Sequence, residues 1–350
     1  MTIPLLSFFS AFVLTLIITP VLIRWAYSLS LLDQPGERKM HSRPTPYLGG
    51  VALYFALILT FLLMAFFYPG LYLDPRPFEG FLVGATLVVL VGLLDDLRGL
   101  RPIVKLLCQI GIGLLMYAYG FRIDLFNTPF GGAVDLHSIG PLITAFWFVL
   151  LMNSLNLIDG LDGLASGIAF IAALTIFFIT SDWLAAFPLL LAFGFMGVTL
   201  GFLFFNFFPA RCFLGDNGSL LLGFALATLT LESSTKSPAL LTLIVPMVAV
   251  GVPIVDAVFA FVRRLFTGRH PFAADRRHLH HRLLALGLSP RRVVFVLYYI
   301  SAFFGILAFF LSNTSPTGMI ATFLLLGLGF ILIVENLKYL EGRGRNHDAR

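Results

Sequence analysis

Asn153-Ser154-Leu155-Asn156-Leu157-Ile158-Asp159-Gly160-Leu161-Asp162-Gly163 is the stretch around which the 350-residue chain is read. Two amides and two carboxylates sit within eleven residues, between apolar segments long enough to be membrane helices. A glycine follows each aspartate directly, so the backbone can turn tightly and approach a ligand closely. The stretch reads as a polar loop joining two spans. Capping of the following helix by Asp162 would use one carboxylate and leave the other polar groups unexplained. The polarity therefore points to a site.

Outward from this stretch the chain is apolar from end to end. Hydrophobic residues make up 59% and charged residues 12%, which excludes an ordinary soluble domain. A hydrocarbon core of roughly 30 Å needs about 20 apolar residues. On that measure spans are expected near 4–26, 48–67, 79–94, 102–119, 140–156, 163–180, 183–205, 218–231, 238–262, 292–312 and 317–337. The expected fold is all-α, a polytopic integral membrane protein of about eleven transmembrane helices. It forms one catalytic domain over 1–350, with a His- and Arg-rich loop at 263–292. The first segment has no basic residue before Arg24 and no small-residue cleavage site, which predicts a retained helix.

Eleven spans put twenty of the 23 Lys and Arg on one face and leave Arg76, Arg122 and Lys236 on the other. By the positive-inside rule the rich face is cytoplasmic, with the N-terminus outside and the C-terminus inside. The net charge of +5 is explained by this topology and gives no reason to expect nucleic acid. Membrane lipids are the expected surroundings. The stretch 121–140, with Gly131-Gly132 at its tip, reads as a small hairpin on the outer face. The reactive groups gather on the inner face. Asp256 is the deepest carboxylate, within reach of the cytoplasmic interface. The midplane is otherwise almost empty of ionisable groups, which favours an interfacial enzyme over a transporter.

Asp95-Asp96 ends the third span, and adjacent carboxylates need a cation to share a site. Lys105, at the start of the next span, offers a positive charge for an anionic ligand. Phe213-Leu214-Gly215-Asp216-Asn217-Gly218-Ser219 opens the eighth span. Asp216 either caps that helix or joins Asn156 as an oxygen ligand for Mg²⁺ (or Mn²⁺), a hard cation that takes few protein ligands beside phosphates. The helix start adds N–H groups suited to an anion. His278, His280, His281 and Arg282 lie in the most polar block, where arginines recognise phosphates and histidines move protons near neutral pH. Acids for a metal, cations for phosphates and a helix terminus are what phosphoryl transfer requires.

The chain resembles the bacterial polyprenyl-phosphate N-acetylhexosamine-1-phosphate transferase family over nearly its whole length. The matching motifs begin with Asp33-Gln34-Pro35, Arg38-Lys39-Met40-His41 and Pro44-Thr45-Pro46-Tyr47-Leu48-Gly49-Gly50. They continue with Asp95-Asp96, the opening stretch extended through Leu164-Ala165, the 213–219 motif and His278-Leu279-His280-His281. The resemblance implies that undecaprenyl phosphate attacks a UDP-N-acetylhexosamine, most simply UDP-GlcNAc, giving an undecaprenyl-diphosphate sugar and UMP and starting cell-surface polysaccharide synthesis. It implies Asn156 and Asp216 as metal ligands, and Asp95, with Asp96 beside it, as the group that deprotonates or orients the lipid phosphate. Lys39, His41, Lys105, Asp159, Asp162, His278, His280, His281 and Arg282 become substrate contacts. It also implies a bacterial cell membrane location, and relatives form homodimers. Leu279 interrupts the histidine run, which separates this chain from the alternative muramoyl-pentapeptide branch.

Overall fold

A computed structural model of the chain describes residues 2–35, 43–68, 74–127, 133–180, 186–234, 250–266, 279–312 and 318. Lys39, His41, His278 and nearly all of the expected 317–337 span lie outside them, as does the first half of the 238–262 span.

The protein is all-α and built as a multi-pass membrane protein. Its helices are α1 (Thr2–Ser28), α2 (Gly49–Phe67), α3 (Pro75–Arg98), α4 (Pro102–Ala118), α5 (Gly140–Ile158), α6 (Leu164–Ile179), α7 (Ala186–Asn206), α8 (Gly215–Ser234), α9 (Gly251–Phe266), α10 (Leu279–Ala285) and α11 (Pro290–Ser312). The first eight expected spans each coincide with one of α1 to α8. Among the described residues six helices, α1, α2, α3, α5, α7 and α11, are long and apolar enough to cross a membrane, and α4 and α6 are apolar but shorter. Among the described residues two short antiparallel pairs accompany the helices. β1 (Leu32–Asp33) pairs with β2 (Thr45–Pro46), and β3 (Leu125–Asn127) pairs with β4 (Ala133–Asp135). The second pair is the expected hairpin; its Gly131-Gly132 tip is outside the described residues.

The shortest expected span turns out to be the axis of the bundle. Residues 217–231 of α8 are buried without a break, and α2, α3, α5, α6 and α7 pack around them. A helix apolar on every side belongs in such a position. Phe224 meets Phe81 and Phe148, and Trp147 Nε1 donates to Thr230 Oγ1 at 2.9 Å. The longest seam runs between α1 and α7, where small residues let two backbones approach. A side chain at Gly197 would run into the Phe8 carbonyl, and one at Gly201 would crowd Thr15.

Helix ends decide where the site lies. Asp74 accepts from Arg76 N at the start of α3, and Gly99, at φ 66°, ends that helix. Pro102 opens α4 directly afterwards, where a missing N–H costs nothing. The tight 99–101 connection keeps Asp95, Asp96 and Lys105 at one end of the bundle. Further along, the structure revises the reading of the opening stretch. Its first six residues, Asn153 to Ile158, are the last turns of α5, which extends two residues past the expected 140–156 span. The polar-loop reading holds only for the part from Asp159 on. Their amides reach neighbouring helices, Asn153 to α4 and Asn156 to α8, while Asn153 also donates to Val149 O one turn back on α5. Nor does Asp162 cap α6: Gly163 occupies that position with φ 80° and no side-chain cap. The 263–292 loop is helical over α10, which carries His280, His281 and Arg282.

Candidate active site

The site is built on the first turn of α8. Asp96 reaches it from α3: its Oδ1 accepts the Asp216 N–H at 2.9 Å, while Oδ2 accepts the Asn217 N–H at 3.0 Å and the Asn217 side-chain amide at 2.5 Å. The carboxylate thus caps α8 from another helix, at the end where the helix dipole favours an anion. Gly92, one turn earlier on α3, permits this approach, because a side chain there would overlap the Asn217 backbone.

The 44–50 motif braces the same turn. Phe213 N donates to Pro46 O at 2.7 Å, Gly49 N to Phe213 O at 3.1 Å and Gly50 N to Leu214 O at 3.0 Å. Asn217 closes the brace by donating to Tyr47 O and accepting from Val51 N, both at 2.9 Å. Asp216 is left facing the junction of α3, α4 and α5. Lys105 Nζ lies 2.6 Å from its Oδ2 and 2.8 Å from Asp95 Oδ2. Asp95 Oδ1 accepts Leu100 N at 2.7 Å, so the α3–α4 turn holds that carboxylate. From α5, Asn156 Nδ2 donates to Asp216 Oδ1 at 2.7 Å and to Ser219 Oγ at 2.8 Å.

The turn after α5 forms the next wall. Burial, then the like charges on Asp216, Asp96 and Asp162, push the Asp159 carboxyl up to about 8. Asp162 Oδ2 accepts Ala210 N at 2.9 Å, tying this turn to the end of α7. Asn206 Oδ1 accepts from Gly163 N and Ser166 Oγ, each at 3.1 Å, and its Nδ2 donates to Cys212 O. Tyr298 of α11 donates from its hydroxyl to Gly163 O at 2.6 Å. The His280 ring, 2% exposed, lies directly against Gly160, and the His281 ring is 4.2 Å from it. Asp256 Oδ1 accepts Leu279 N at 2.8 Å, so this carboxylate anchors the start of α10.

Asp95, Asp96, Lys105, Asn156 and Asp216 therefore come together, with Asp159 beside them and His280 behind Gly160. Arg282 is on the exposed side of α10. Sequence reasoning missed the partners Asn217, Ser219, Asn206, Tyr298 and Gln109. Asn217 and Ser219 lay inside a quoted motif; Gln109 carried one signal, its position one helical turn after Lys105.

A Mg²⁺-like ion suits the donor set. Turning the Asn156 amide over exchanges its nitrogen for its oxygen beside the Asp216 carboxylate, making two hard oxygen donors. Among the described residues no group of three or more His, Cys, Asp or Glu is arranged to hold a metal. Mg²⁺ needs no such group, because water and phosphate oxygens complete its shell. Several carboxylates gathered around Lys105 also leave negative charge for a cation to balance.

The description Glycosyl transferase family 4 matches residues 78–234, which contain Asp95, Lys105, the opening stretch and Asp216. A Bacillus subtilis protein named "Probable undecaprenyl-phosphate N-acetylglucosaminyl 1-phosphate transferase" is 37% identical over 94% of this chain and 88% of its own length. The decaprenyl-phosphate N-acetylglucosaminephosphotransferase of Mycolicibacterium smegmatis is 34% identical over 89% of this chain and 82% of its own. The undecaprenyl-phosphate alpha-N-acetylglucosaminyl 1-phosphate transferase of Thermotoga maritima is 32% identical, covering 77% and 78% respectively. With the acidic cluster inside the matched segment and relatives aligned over most of its length, the chain belongs to glycosyl transferase family 4.

Proposed function

We propose that the chain transfers N-acetylglucosamine-1-phosphate from UDP-N-acetylglucosamine to undecaprenyl phosphate. The products are undecaprenyl-diphosphate N-acetylglucosamine and UMP, and the step begins cell-surface polysaccharide synthesis. The relatives' names support the transferred group and the acceptor. The observation that carries the reading is the meeting of Lys105 and Asn156 on the one Asp216 carboxylate, at 2.6 Å and 2.7 Å.

Asp216 and Asn156 hold Mg²⁺ (or Mn²⁺) in this reading, and Lys105 contacts the phosphates. The metal, when bound, supplies charge neutralisation and polarisation of the donor diphosphate. An oxygen of the lipid phosphate forms a bond to the sugar-linked phosphorus, the bond from that phosphorus to the UMP oxygen breaks, and UMP leaves with the electron pair. One phosphoanhydride replaces another, so the step runs near equilibrium. A phosphate monoester has a second pKa near 6 and is largely ionised at pH 7. Asp95 therefore has little proton to remove, and its contact with Lys105 supports a role in orienting that cation. Asp96 acts through α8, fixing Asp216. Asp159 faces the substrate, and Asp162 shapes the same turn from behind. His280 and His281, with Arg282, serve the sugar-nucleotide side, as do Lys39, His41 and His278 in the reading from resemblance.

The site opens to the cytoplasm, with the N-terminus outside and the C-terminus inside. A cysteine placed within 263–292 should resist an impermeant reagent in intact cells; labelling would reverse the orientation. The main test supplies membranes containing the chain with UDP-N-acetylglucosamine, undecaprenyl phosphate and Mg²⁺. UMP should appear, chelation should stop it, and a panel of other UDP-sugars should be turned over more slowly. No UMP release would sink the transferase reading.

A further inference from the structure

We infer that Gln109 and Asn153 form a clamp between α4 and α5 that sets the axial register on which Lys105 and Asn156 meet Asp216. The inference rests on the transferase reading above, and gives it two positioning residues. Asn153 Nδ2 donates to Gln109 Oε1 at 2.7 Å. Among the described residues this is the one side-chain hydrogen bond between the two helices. Gln109 follows Lys105 by four residues and Asn153 precedes Asn156 by three, so each clamp residue shares a helix face with a site residue one turn away.

Three observations say that the pair is kept for position and not for stability. The first is that Gln109 is 1% exposed, and its Nε2 has no partner among the described residues. A buried donor without an acceptor destabilises, and an apolar pair of the same shape would not. The second is that Asn153 Nδ2 is shared, since it also donates to Val149 O of its own helix at 2.8 Å. The third concerns the rest of the seam. Gly113 of α4 lies against the Ala145 backbone of α5, a smooth contact of small residues. Such a contact sets how close two helices come and supplies no directional bond that fixes their axial register. A shift of about 1 Å at reacting groups is enough to slow an enzyme by orders of magnitude. The amide pair opposes that shift at the level of the site.

The test uses the full chain in detergent with added undecaprenyl phosphate, and follows UMP release alongside thermal unfolding. Gln109→Leu should keep or raise Tm while kcat falls about tenfold or more. Its KM for UDP-N-acetylglucosamine should stay within about twofold, because positioning loss is felt in the transition state. Gln109→Asn alone should be slow, and Gln109→Asn combined with Asn153→Gln should recover most of the rate by rebuilding the bridge from the other side. Wild-type kcat in Gln109→Leu would overturn the clamp. So would a loss of rate matched by a fall in Tm and not recovered by the exchanged pair. If the wild type itself releases no UMP, the transferase reading fails instead, which separates the two claims.

Discussion

The α1–α7 seam and the first turn of α8 both bury polar side chains between helices, and they use them in opposite ways. In the seam, Thr15 Oγ1 donates to Ala11 O and Thr199 Oγ1 to Phe195 O, each at 2.8 Å. These hydroxyls return to their own helices. Ser7 reaches across, to Leu190 O at a longer 3.2 Å. At α8 the direction is reversed: Asp96 from α3, Lys105 from α4 and Asn156 from α5 all end on residues 216–219. Polarity that folds back on its helix permits close packing. Polarity that crosses between helices holds a constellation in place.

The contrast breaks most sharply at Asp216. Asp216→Ala should lower UMP release by roughly a thousandfold, as expected for loss of a main electrostatic group, and should weaken the dependence on Mg²⁺. A rate near wild type, measured with saturating UDP-N-acetylglucosamine, would remove this residue from the site. Asp96→Ala comes next. Three donors on α8 lose their acceptor, which costs about 2–3 kcal/mol for hydrogen bonds to a charged group. A lower Tm and a slower rate should appear together, unlike the Asp216 variant.

A smaller effect is expected at Asp159, and it depends on pH. Its carboxyl sits near 8 in the folded protein against an ordinary value of about 3.9. The folded state therefore holds the proton more tightly than the unfolded chain. Stability from this group is complete below about pH 4 and is lost as pH rises toward 8. Asp159→Asn should flatten that part of a Tm-against-pH curve recorded without substrate or metal; an unchanged slope would argue against the crowded environment. The smallest effect belongs to the seam. Thr15→Ala should change stability by less than about 1 kcal/mol and leave the rate alone, since a side chain away from the site removes one local bond. A large loss of rate there would erase the contrast.

The apolar runs made most helices legible, because a span announces itself through length and hydropathy alone. The importance of α8 was not legible. Its first turn spends four positions on Asp216, Asn217, Gly218 and Ser219, which shortens the apolar run of the helix that is buried the most. The candidate site divides in the same way. Asp95, Lys105, Asn156 and Asp216 were readable as acids, amide and cation on one side of the membrane, and they do converge. Roles that depend on a distant partner were hidden. Asp96 was readable only as one of two acids at the end of a span, and the approach of α8 makes it a cap. Asn153 and Asn156 fell inside the expected 140–156 span, but their partners on α4 and α8 could not be read from the sequence. Gln109, a single amide in an apolar run, had no motif to mark it.

The hydroxyl of Tyr298 on the Gly163 carbonyl has a consequence for biosynthesis. Ribosomes deliver this chain from the N-terminus, and α1 to α8 reach the membrane before α11 exists. A nascent chain ending at 234 already contains Asp95, Lys105, Asn156 and Asp216, yet the turn carrying Asp159 still lacks its fastening from residue 298. The acids arrive early and the latch arrives late. The last bond to this turn thus forms only after most of the polypeptide has been made.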